Sequence, residues 1–303
     1  MVTETTSSAV RGKVVVITGA SSGIGLETAK RLAAQGGEIV MVVRDRTRGE
    51  QGKAQVAEVA SGMPPVLLLA DLSVQAQIRR VADAIKGRYD RIDILINKAG
   101  NAFNTRRESA DGLELTWATN HLAPFLLTDL LLPLLTAAPA GRIVNLTTEV
   151  YSHKLDLENL QGEHGYSWMS AYRNSKLGSV LFTTELARRV KGSGVTAVAV
   201  SPGPTKTNFG GGGPSGPIGV VTTVLKHTPL LTTPEQAAEA ITWAATAPEL
   251  TATPGAFYLR HKRLTLKGAA TDPAIASKLW AISEQQTGID PTHSNVAAVS
   301  AAN

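Results

Sequence analysis

The sequence predicts a single doubly wound α/β domain in which a mostly parallel sheet of about seven strands is flanked by helices. Two observations lead to this prediction. Short apolar, β-branched runs alternate with longer segments of helical periodicity along the chain, which is the pattern of βαβ units. The first of these runs leads into a glycine-rich turn that opens a helix, as is typical of an open parallel sheet.

Seven segments have the composition of buried strands, and long helical patterns separate them. The strands are predicted at 13–18, 39–43, 66–69, 92–96, 142–146, 195–200 and 256–259, and the longest helices at 111–136 and 170–190. No charged or low-complexity linker and no repeat of about 20–50 residues divides the chain. We therefore expect residues 1–303 to form one domain, with disordered or loosely attached ends at about 1–11 and 291–303.

The turn after the first strand, Thr18–Gly25, reads TGASSGIG. Its glycine spacing, Gly-x-x-x-Gly-x-Gly, differs from the common dinucleotide fingerprint Gly-x-Gly-x-x-Gly. Glycines let the backbone approach a pyrophosphate, and the N–H groups and dipole of a helix N-terminus favour its charge. An ordinary tight turn would also contain glycines, but the strand before the turn and the helix after it favour a dinucleotide site.

Charged residues follow the second predicted strand, where a dinucleotide fold meets the adenosine ribose. Arg44 comes first and Asp45 follows. An acidic residue suits a free 2′-hydroxyl, whereas a guanidinium matches the geometry of a 2′-phosphate. The order of the two residues favours NADP(H) as the cofactor. The alternative is a solvated charge cluster after a strand.

A Tyr-x-x-x-Lys pair, Tyr172 and Lys176, lies in the predicted helix 170–190. Residues four apart share one helix face, so the phenol and the ammonium can point into the same site. A nearby cation stabilises a phenolate and lowers the tyrosine pKa, which would let the pair act as an acid/base near neutral pH. Alone, this spacing is common on amphipathic helices, and the glycine turn upstream gives it weight.

The motifs occur in an order and spacing that resemble the short-chain dehydrogenase/reductase family, and more narrowly its retinol-dehydrogenase-like branch. The resemblance runs from about residue 12 to about residue 290. Besides the glycine turn and the Tyr172–Lys176 pair, the matching segments are Arg44-Asp45, Asp71-Leu72, Asn97–Gly100 (NKAG), Asn120–Leu122 (NHL), Phe125–Thr128 (FLLT), Arg142–Leu146 (RIVNL), Pro202-Gly203 and the tail around Trp280.

The resemblance implies a Rossmann-type fold and an NADP(H)-dependent carbonyl reductase (ketoreductase) or alcohol dehydrogenase. Tyr172 would be the acid/base, Lys176 would bind the nicotinamide ribose and lower the Tyr172 pKa, and Asn120 would hold a water of a proton relay. The catalytic set implied is Asn120, Thr148, Tyr172 and Lys176. The cofactor contacts implied are Gly19, Ser21, Ser22, Gly23, Ile24, Gly25, Arg44, Asp71, Leu72, Asn97, Ala99, Gly100, Tyr172, Lys176, Pro202, Gly203 and Thr207.

Two residues depart from the family pattern. Thr148 stands where the family usually has the serine that binds the substrate carbonyl. Threonine keeps the hydroxyl, but its methyl group restricts χ1, so we expect retained chemistry in a narrower pocket; Thr147 is a less favoured stand-in. Lys98 replaces the second asparagine of Asn-Asn-Ala-Gly. An extra cation there could help bind a phosphate or point outward, and the sequence leaves both open.

The substrate end is expected in two segments. The glycine-rich stretch 209–221 has little intrinsic order, and the resemblance implies that it belongs to a substrate lid at about 208–230; a surface loop is the alternative. Tyr151–Met169 is expected to form part of the pocket wall. The resemblance implies a lipophilic or polycyclic small molecule that carries a carbonyl or an alcohol. The alternatives are a redox-neutral step with bound NADP(H), such as cyclisation or epimerisation, and a weakly catalytic cofactor-sensing protein.

Composition limits the other classes of function. The chain has no cysteine, and its six histidines lack metal-ligand spacing, so neither a disulfide scaffold nor a metal site is expected. The net charge of +5 is spread along the chain with few aromatics, which does not indicate a nucleic-acid surface. We expect no membrane span and no signal peptide, and hence a cytoplasmic protein. A homo-oligomer would be common in the resembled family, and the sequence leaves the subunit number open.

Overall fold

A computed structural model describes residues 9–205, 231–292 and 294–302 of the chain. Eight strands form one sheet in the order β3-β2-β1-β4-β5-β6-β7-β8, and every neighbouring pair is parallel except β7 and β8. The strands are β1 Val14–Thr18, β2 Glu38–Val43, β3 Val66–Leu69, β4 Ile94–Asn97, β5 Arg142–Leu146, β6 Thr196–Ser201, β7 Phe257–Leu259 and β8 Lys262–Leu264.

Helices cover both faces of the sheet. They are α1 Gly23–Ala34, α2 Arg46–Val59, α3 Gln75–Lys86, α4 Leu115–Trp117, α5 Ala123–Thr136, α6 Trp168–Arg189, α7 Pro234–Thr246, α8 Pro273–Thr287 and α9 Asn295–Ala302. A π-helical turn, Ala118–Leu122, joins α4 to α5 without a break. Short 3₁₀ turns lie at Leu157–Asn159, Pro248–Ala252 and Gly268–Thr271.

Strand β1 shows why the sheet strands read as continuous apolar runs. Successive side chains of a strand point to opposite faces. Val15 and Ile17 belong to a core cluster that includes residues of α1 and α7, whereas Val14 and Val16 belong to a second cluster with α3 and α5. Because each face is covered by helices, every residue of the strand is buried.

The connection from β3 to β4 creates the crevice in which a ligand can bind. The chain builds outward from β1 through β2 to β3, then returns to place β4 on the other side of β1. At such a reversal of strand order the loops after the two neighbouring strands diverge and open a crevice at their carboxyl ends. The glycine turn after β1 and the Asn97–Gly100 segment after β4 both lie at this position.

All seven predicted strands are present, with bounds within two residues of the expected ones, and the doubly wound α/β class is confirmed. The eighth strand, β8, was not predicted. It is three residues long, it carries Lys262 and Arg263 on exposed positions, and it pairs antiparallel with β7 at the edge of the sheet. Its charged composition fits an edge strand and gives no apolar signal.

Parts of the two ends that were expected to be loosely attached lie within the described residues and pack on the domain. Val10 is fully buried in the core. The tail expected to be loose from about residue 291 contains α9, whose Val296 is 1% exposed and donates its backbone N–H to Asp129 Oδ1 of α5 at 3.1 Å. The predicted substrate lid, about 208–230, lies outside the described residues, and so does Thr207.

The expectation that no segment is long and apolar enough to span a bilayer is wrong for one helix. Leu115–Thr136 is a continuous helix of 22 residues with a window of mean hydropathy 1.2, which satisfies both criteria. In this structure 72% of that window is buried inside the domain. The helix packs on the sheet and on α3, as a core helix does.

Candidate active site

The glycine turn between β1 and α1 brings the backbone close to a potential ligand. Gly19 and Gly23 have left-handed φ angles of 70° and 55°, which glycine adopts at little cost. A Cβ on Gly25 would overlap the carbonyl oxygen of Gly19, so α1 packs this closely only with glycine there. Ser22 occupies the N-cap position and makes no side-chain capping bond, which leaves the first N–H groups of α1 without a side-chain acceptor.

A cavity of about 610 Å³ extends from this turn along the carboxyl ends of β1 to β4. The volume is within the range of small-molecule and cofactor sites, roughly 300–1,000 Å³. The predicted cofactor residues that line it are Gly19, Ser21, Ser22, Arg44, Asp71, Leu72, Ala99 and Gly100. Ile24 instead packs in the core behind the turn.

Arg44 and Asp45, at the junction of β2 and α2, differ in what their side chains contact. Asp45 is the N-cap of α2, and its carboxylate accepts the Arg48 N–H at 2.8 Å. This hydrogen bond, with the nearby charge of Arg48, holds the Asp45 pKa below its usual value. Asp45 is therefore occupied as a helix cap. The exposed Arg44 and Arg48 line the cavity together with Asp45, and Arg48 Nε lies 3.7 Å from the Asp45 carboxylate, so Arg44 is the guanidinium better placed to meet an anionic group.

Asn97 is a second predicted cofactor residue whose side chain points away from the cavity. Its Nδ2 donates to Asn145 Oδ1 at 2.8 Å and to Thr128 Oγ1 at 3.1 Å, and the residue is 3% exposed. Asn145 in turn donates to Thr183 of α6 at 2.9 Å. The Asn97 side chain thus ties β4 to β5 and α5 below the cavity. The neighbouring Ala99 and Gly100 line the cavity as expected.

Tyr172 and Lys176 lie together on α6. The Lys176 ammonium is 5.7 Å from the centre of the Tyr172 ring and donates to the Leu146 carbonyl oxygen at the end of β5, at 3.0 Å. A Cβ on Gly100, which lines the cavity, would lie 3.7 Å from Lys176 Nζ and 3.1 Å from Asn120 Oδ1. Gly100 therefore borders both the cavity and the place where Lys176 and Asn120 lie, although Tyr172, Lys176 and Asn120 do not themselves line the cavity.

Asn120 is held in the π-helical turn between α4 and α5. Its Oδ1 accepts the Asn101 N–H at 2.8 Å, and its Nδ2 donates to the Asn101 carbonyl at 2.8 Å and to Ser175 Oγ at 2.9 Å. The side chain thereby links the loop after β4 to α6. π-Helical turns often occur at functional sites because the extra residue redirects a side chain out of the regular helix.

Comparison with known proteins identifies this arrangement. The family model for short chain dehydrogenases matches residues 13–212, which contain the glycine turn, Asn120, Thr148, Tyr172 and Lys176. This chain is a short-chain dehydrogenase/reductase. The family is one of oxidoreductases, so the enzyme class expected from the motifs is confirmed, as is the retinol-dehydrogenase-like resemblance.

Relatives of this short-chain dehydrogenase/reductase fall into two groups by name. Mouse retinol dehydrogenase 14 is 34% identical over 302 residues, and the match covers 92% of this chain and 86% of that protein. Human retinol dehydrogenase 13 is 36% identical over 289 residues, and the match again covers 92% of this chain and 86% of that protein. The Streptomyces protein named as a daunorubicin C-13 ketoreductase, DnrU, is 34% identical over 279 residues, covering 91% and 93%. A crystal structure of an uncharacterized protein from Mycobacterium paratuberculosis superimposes with a TM-score of 0.73 at 32% identity, covering 92% and 94% of the two chains.

The protonation of Tyr172 differs from the sequence-based expectation. Burial, together with the negative charge of Glu149, raises the Tyr172 pKa to about 12. Burial and the positive charge of Lys98 lower the Lys176 pKa to about 8. In the protein alone, the short-chain dehydrogenase/reductase therefore keeps its phenol protonated at neutral pH. The expected lowering of the Tyr172 pKa by Lys176 is not seen.

Glu149 is the site residue that sequence reasoning missed. Its Oε2 accepts from Ser201 Oγ at 2.5 Å and from Thr148 Oγ1 at 3.5 Å. A carboxylate directly after the threonine that replaces the family serine was a visible signal. Thr147 is not a stand-in for that serine, because it is buried and its hydroxyl donates to the Lys176 carbonyl at 3.1 Å, whereas Thr148 is half-buried.

The loop after β6 carries the remaining predicted contacts. The Gly203 N–H donates to Ser201 Oγ at 3.2 Å, and Gly203 has a left-handed φ of 80°. A Cβ there would lie 3.4 Å from the Arg260 guanidinium, which reaches over the loop from the β7–β8 turn. Pro202 is buried beside it.

Among the described residues, no group of three His, Asp or Glu side chains could hold a metal ion. His121, next to Asn120, is 1% exposed, and one of its ring nitrogens lies 2.8 Å from Ser283 Oγ. Burial lowers its pKa to about 3, so it is a neutral packing residue. His227 and His293 lie outside the described residues.

Proposed function

We propose that this protein is an NADP(H)-dependent oxidoreductase that interconverts a carbonyl and an alcohol on a lipophilic or polycyclic small molecule. One observation supports this above the others. The cavity that is lined by the glycine turn and Arg44 is also lined by Gly100, which lies beside Asn120 and Lys176. A dinucleotide bound along it would have its adenosine near Arg44 and its nicotinamide near Tyr172.

The residues present fit such a cofactor. The glycine turn and the uncapped N-terminus of α1 suit a pyrophosphate. Arg44 and Arg48 line the cavity where the adenosine ribose is expected, while Asp45, which would favour a free 2′-hydroxyl, is used to cap α2. Asp71 and Leu72 line the cavity at the end of β3 and would contact the adenine. This set favours NADP(H) over NAD(H).

The proposed mechanism assigns proton transfer to Tyr172. The bound nicotinamide supplies or accepts the hydride. In the reductive direction, the Tyr172 phenol is protonated and donates to the carbonyl oxygen, and the Thr148 hydroxyl provides a second donor to the charge that develops there. Lys176 is fixed by its bond to the Leu146 carbonyl and orients the ribose end of the site. Asn120 holds the loop after β4 against α6.

The substrate class rests on the relatives and on the described part of the pocket region. The names of the relatives refer to retinol and to a daunorubicin ketone, both lipophilic molecules. In this chain, Tyr166 and Leu157 lie half-buried in the segment between Thr148 and Tyr172, and Tyr166 donates to the Phe103 carbonyl at 2.8 Å. Tyr151 and Leu160 of the same segment pack inside the core, so they support the wall rather than line it.

The experiment is a screen of lipophilic ketones and aldehydes with NADPH, followed by the loss of reduced-nicotinamide absorbance. We expect turnover by the unaltered enzyme. Tyr172→Phe should lose at least about 10³-fold in kcat/KM because the proton donor is removed, while the Kd for NADPH stays within about twofold.

Full activity of Tyr172→Phe would contradict the assignment of the proton donor. Substrate conversion without any net change in cofactor would instead point to a redox-neutral reaction. Binding of NADPH with no turnover of any carbonyl compound would favour a cofactor-sensing role.

A further inference from the structure

Lys98, which the sequence allowed to point either way, is directed into the cofactor cavity. It lines that cavity, and its Nζ lies 3.5 Å from the carbonyl oxygen of Gly19 in the glycine turn. Its Cδ lies 3.1 Å from the position that a Cβ on Gly25 would occupy, so the side chain packs against the start of α1. The ammonium therefore sits beside the segment that faces a pyrophosphate.

Lys98 has no acidic partner in the described part of the chain. Its ammonium forms no ion pair there and makes a single long hydrogen bond to a neutral carbonyl. Lys176 of α6 is in the same situation, with the Leu146 carbonyl as its acceptor. Removing a charge from water without a counter-charge is unfavourable, and two such cations close together add repulsion. The pair therefore lacks an anion.

The glycine turn itself supplies no cation, because Thr18–Gly25 contains no charged residue. Arg44 and Arg48 follow β2, at the part of the cavity assigned above to the 2′-phosphate. Lys98 lies instead beside Gly19, in the glycine turn whose Ser21 and Ser22 line the same cavity. The two parts of the cavity thus carry separate positive charges, and each matches a different phosphate of the cofactor.

We propose that Lys98 is a cofactor-binding residue that forms an ion pair with the pyrophosphate of the dinucleotide. The inference rests on the proposed NADP(H) function and adds a residue that occupies a position where the family usually has asparagine. An ammonium is a strong point-charge partner for phosphate, as the lysine of phosphate-binding loops shows.

The proposed ion pair makes the affinity for NADPH depend on pH. Burial lowers the Lys98 pKa to about 8, and burial together with Lys98 lowers that of Lys176 to about 8. At about pH 8.5 a lysine of pKa about 8 is only one-quarter protonated, whereas one near its ordinary value is almost fully protonated. An anion beside these lysines raises their pKa values. NADPH binding should therefore take up protons, and the affinity should fall as the pH rises above about 8.

The test compares the unaltered protein with Lys98→Asn, which restores the usual family residue, and with the control Lys86→Met. Lys86 is at the end of α3, in an exposed ion pair with Asp83. Binding of NADPH and of 2′-AMP is measured by calorimetry and by competition. 2′-AMP carries the 2′-phosphate without the pyrophosphate. Proton uptake on NADPH binding is measured by calorimetry in two buffers of different ionisation enthalpy. The pH is about 8.5, because the 2′-phosphate, whose second pKa is near 6, does not titrate there.

For Lys98→Asn we expect about tenfold weaker NADPH binding, the effect of losing one charged hydrogen bond, with 2′-AMP binding unchanged. Proton uptake should fall by more than half, because Lys98 no longer titrates and no longer lowers the Lys176 pKa. Lys86→Met should match the unaltered protein in every measurement.

Equal NADPH affinity and equal proton uptake in Lys98→Asn and the unaltered protein would overturn the proposal while leaving the proposed function intact. A parallel loss of NADPH and 2′-AMP affinity would also overturn it, since that result would show a general disturbance of the cavity. If the unaltered protein binds no NADPH, the proposed cofactor is wrong and this inference fails with it.

Discussion

The β2 end of the site, with Arg44 and Arg48, and the α6 end, with Tyr172 and Lys176, differ in how far their charged groups are exposed to solvent. At the β2 end, Arg44 and Arg48 are exposed, and the charged Asp45 carboxylate caps α2 and pairs with Arg48. At the α6 end, Lys176 is 5% exposed, and the pKa values of Tyr172 and Lys176 are shifted away from their usual values. Exposed charges attract a ligand through a screened field, whereas buried charges depend on their immediate partners.

This difference separates recognition from chemistry. We expect the arginine end to respond to ionic strength and to the 2′-phosphate, because its charges face solvent. The α6 end should respond to pH and to single substitutions, because Asn120, Thr147 and Lys176 are each fixed by a hydrogen bond to a neighbouring element. Substitutions at each end therefore test different parts of the proposed function.

The largest effect after loss of Tyr172 is expected at Thr148. If its hydroxyl donates to the substrate carbonyl, Thr148→Ala should lower kcat about 10²–10³-fold, the usual cost of removing one transition-state donor. Thr148→Ser keeps the hydroxyl and should stay within about threefold of the unaltered enzyme. Steady-state kinetics at saturating NADPH measures both. Equal rates for the alanine and serine variants would show that Thr148 is a bystander.

At the other end, Arg44→Ala should weaken NADPH binding about 10–100-fold, because a guanidinium–phosphate contact is lost. NADH binding should be nearly unchanged, and the difference between the two cofactors should shrink as salt is added. Fluorescence titration with each cofactor at low and high ionic strength measures this. The exposed Arg80→Ala, on α3, serves as the control. An unchanged preference for NADPH would contradict the 2′-phosphate assignment.

The sequence predicted the parts of the molecule whose information is local. The seven strands follow from apolar runs, and the glycine turn is a contiguous motif, so both are present where expected. The β8 strand was missed because an exposed three-residue edge strand has no apolar pattern. The C-terminal helix α9 was missed because its stability depends on Asp129, which is distant in sequence.

Side-chain direction was the part of the site that the sequence could not supply. Asn97 and Ala99 are two residues apart in one motif, yet Asn97 bonds to Asn145 within the core, while Ala99 lines the cavity. Lys98 was open to either direction until the packing of α1 placed it inward. The Tyr172 pKa likewise depends on Glu149, whose place next to Thr148 was visible in the sequence but whose closeness to Tyr172, 23 positions later, was not.

The smallest predicted effect is a shift of the pH–rate profile on substitution of Glu149. Its carboxylate raises the Tyr172 pKa, and Glu149→Gln removes the charge while retaining an oxygen that can accept from Ser201. Burial is the larger cause of the raised pKa and remains in the variant, but removal of the Glu149 charge still lowers the pKa, so that Tyr172 loses its proton at a lower pH. The loss of reductase activity at alkaline pH should then begin at lower pH in Glu149→Gln, with the rate near neutral pH changed by less than about threefold.

Glu58→Gln, on the exposed face of α2, is the control and should keep the original profile. A pH–rate profile that is identical in the two variants would mean that the Tyr172 pKa does not depend on the charge of Glu149.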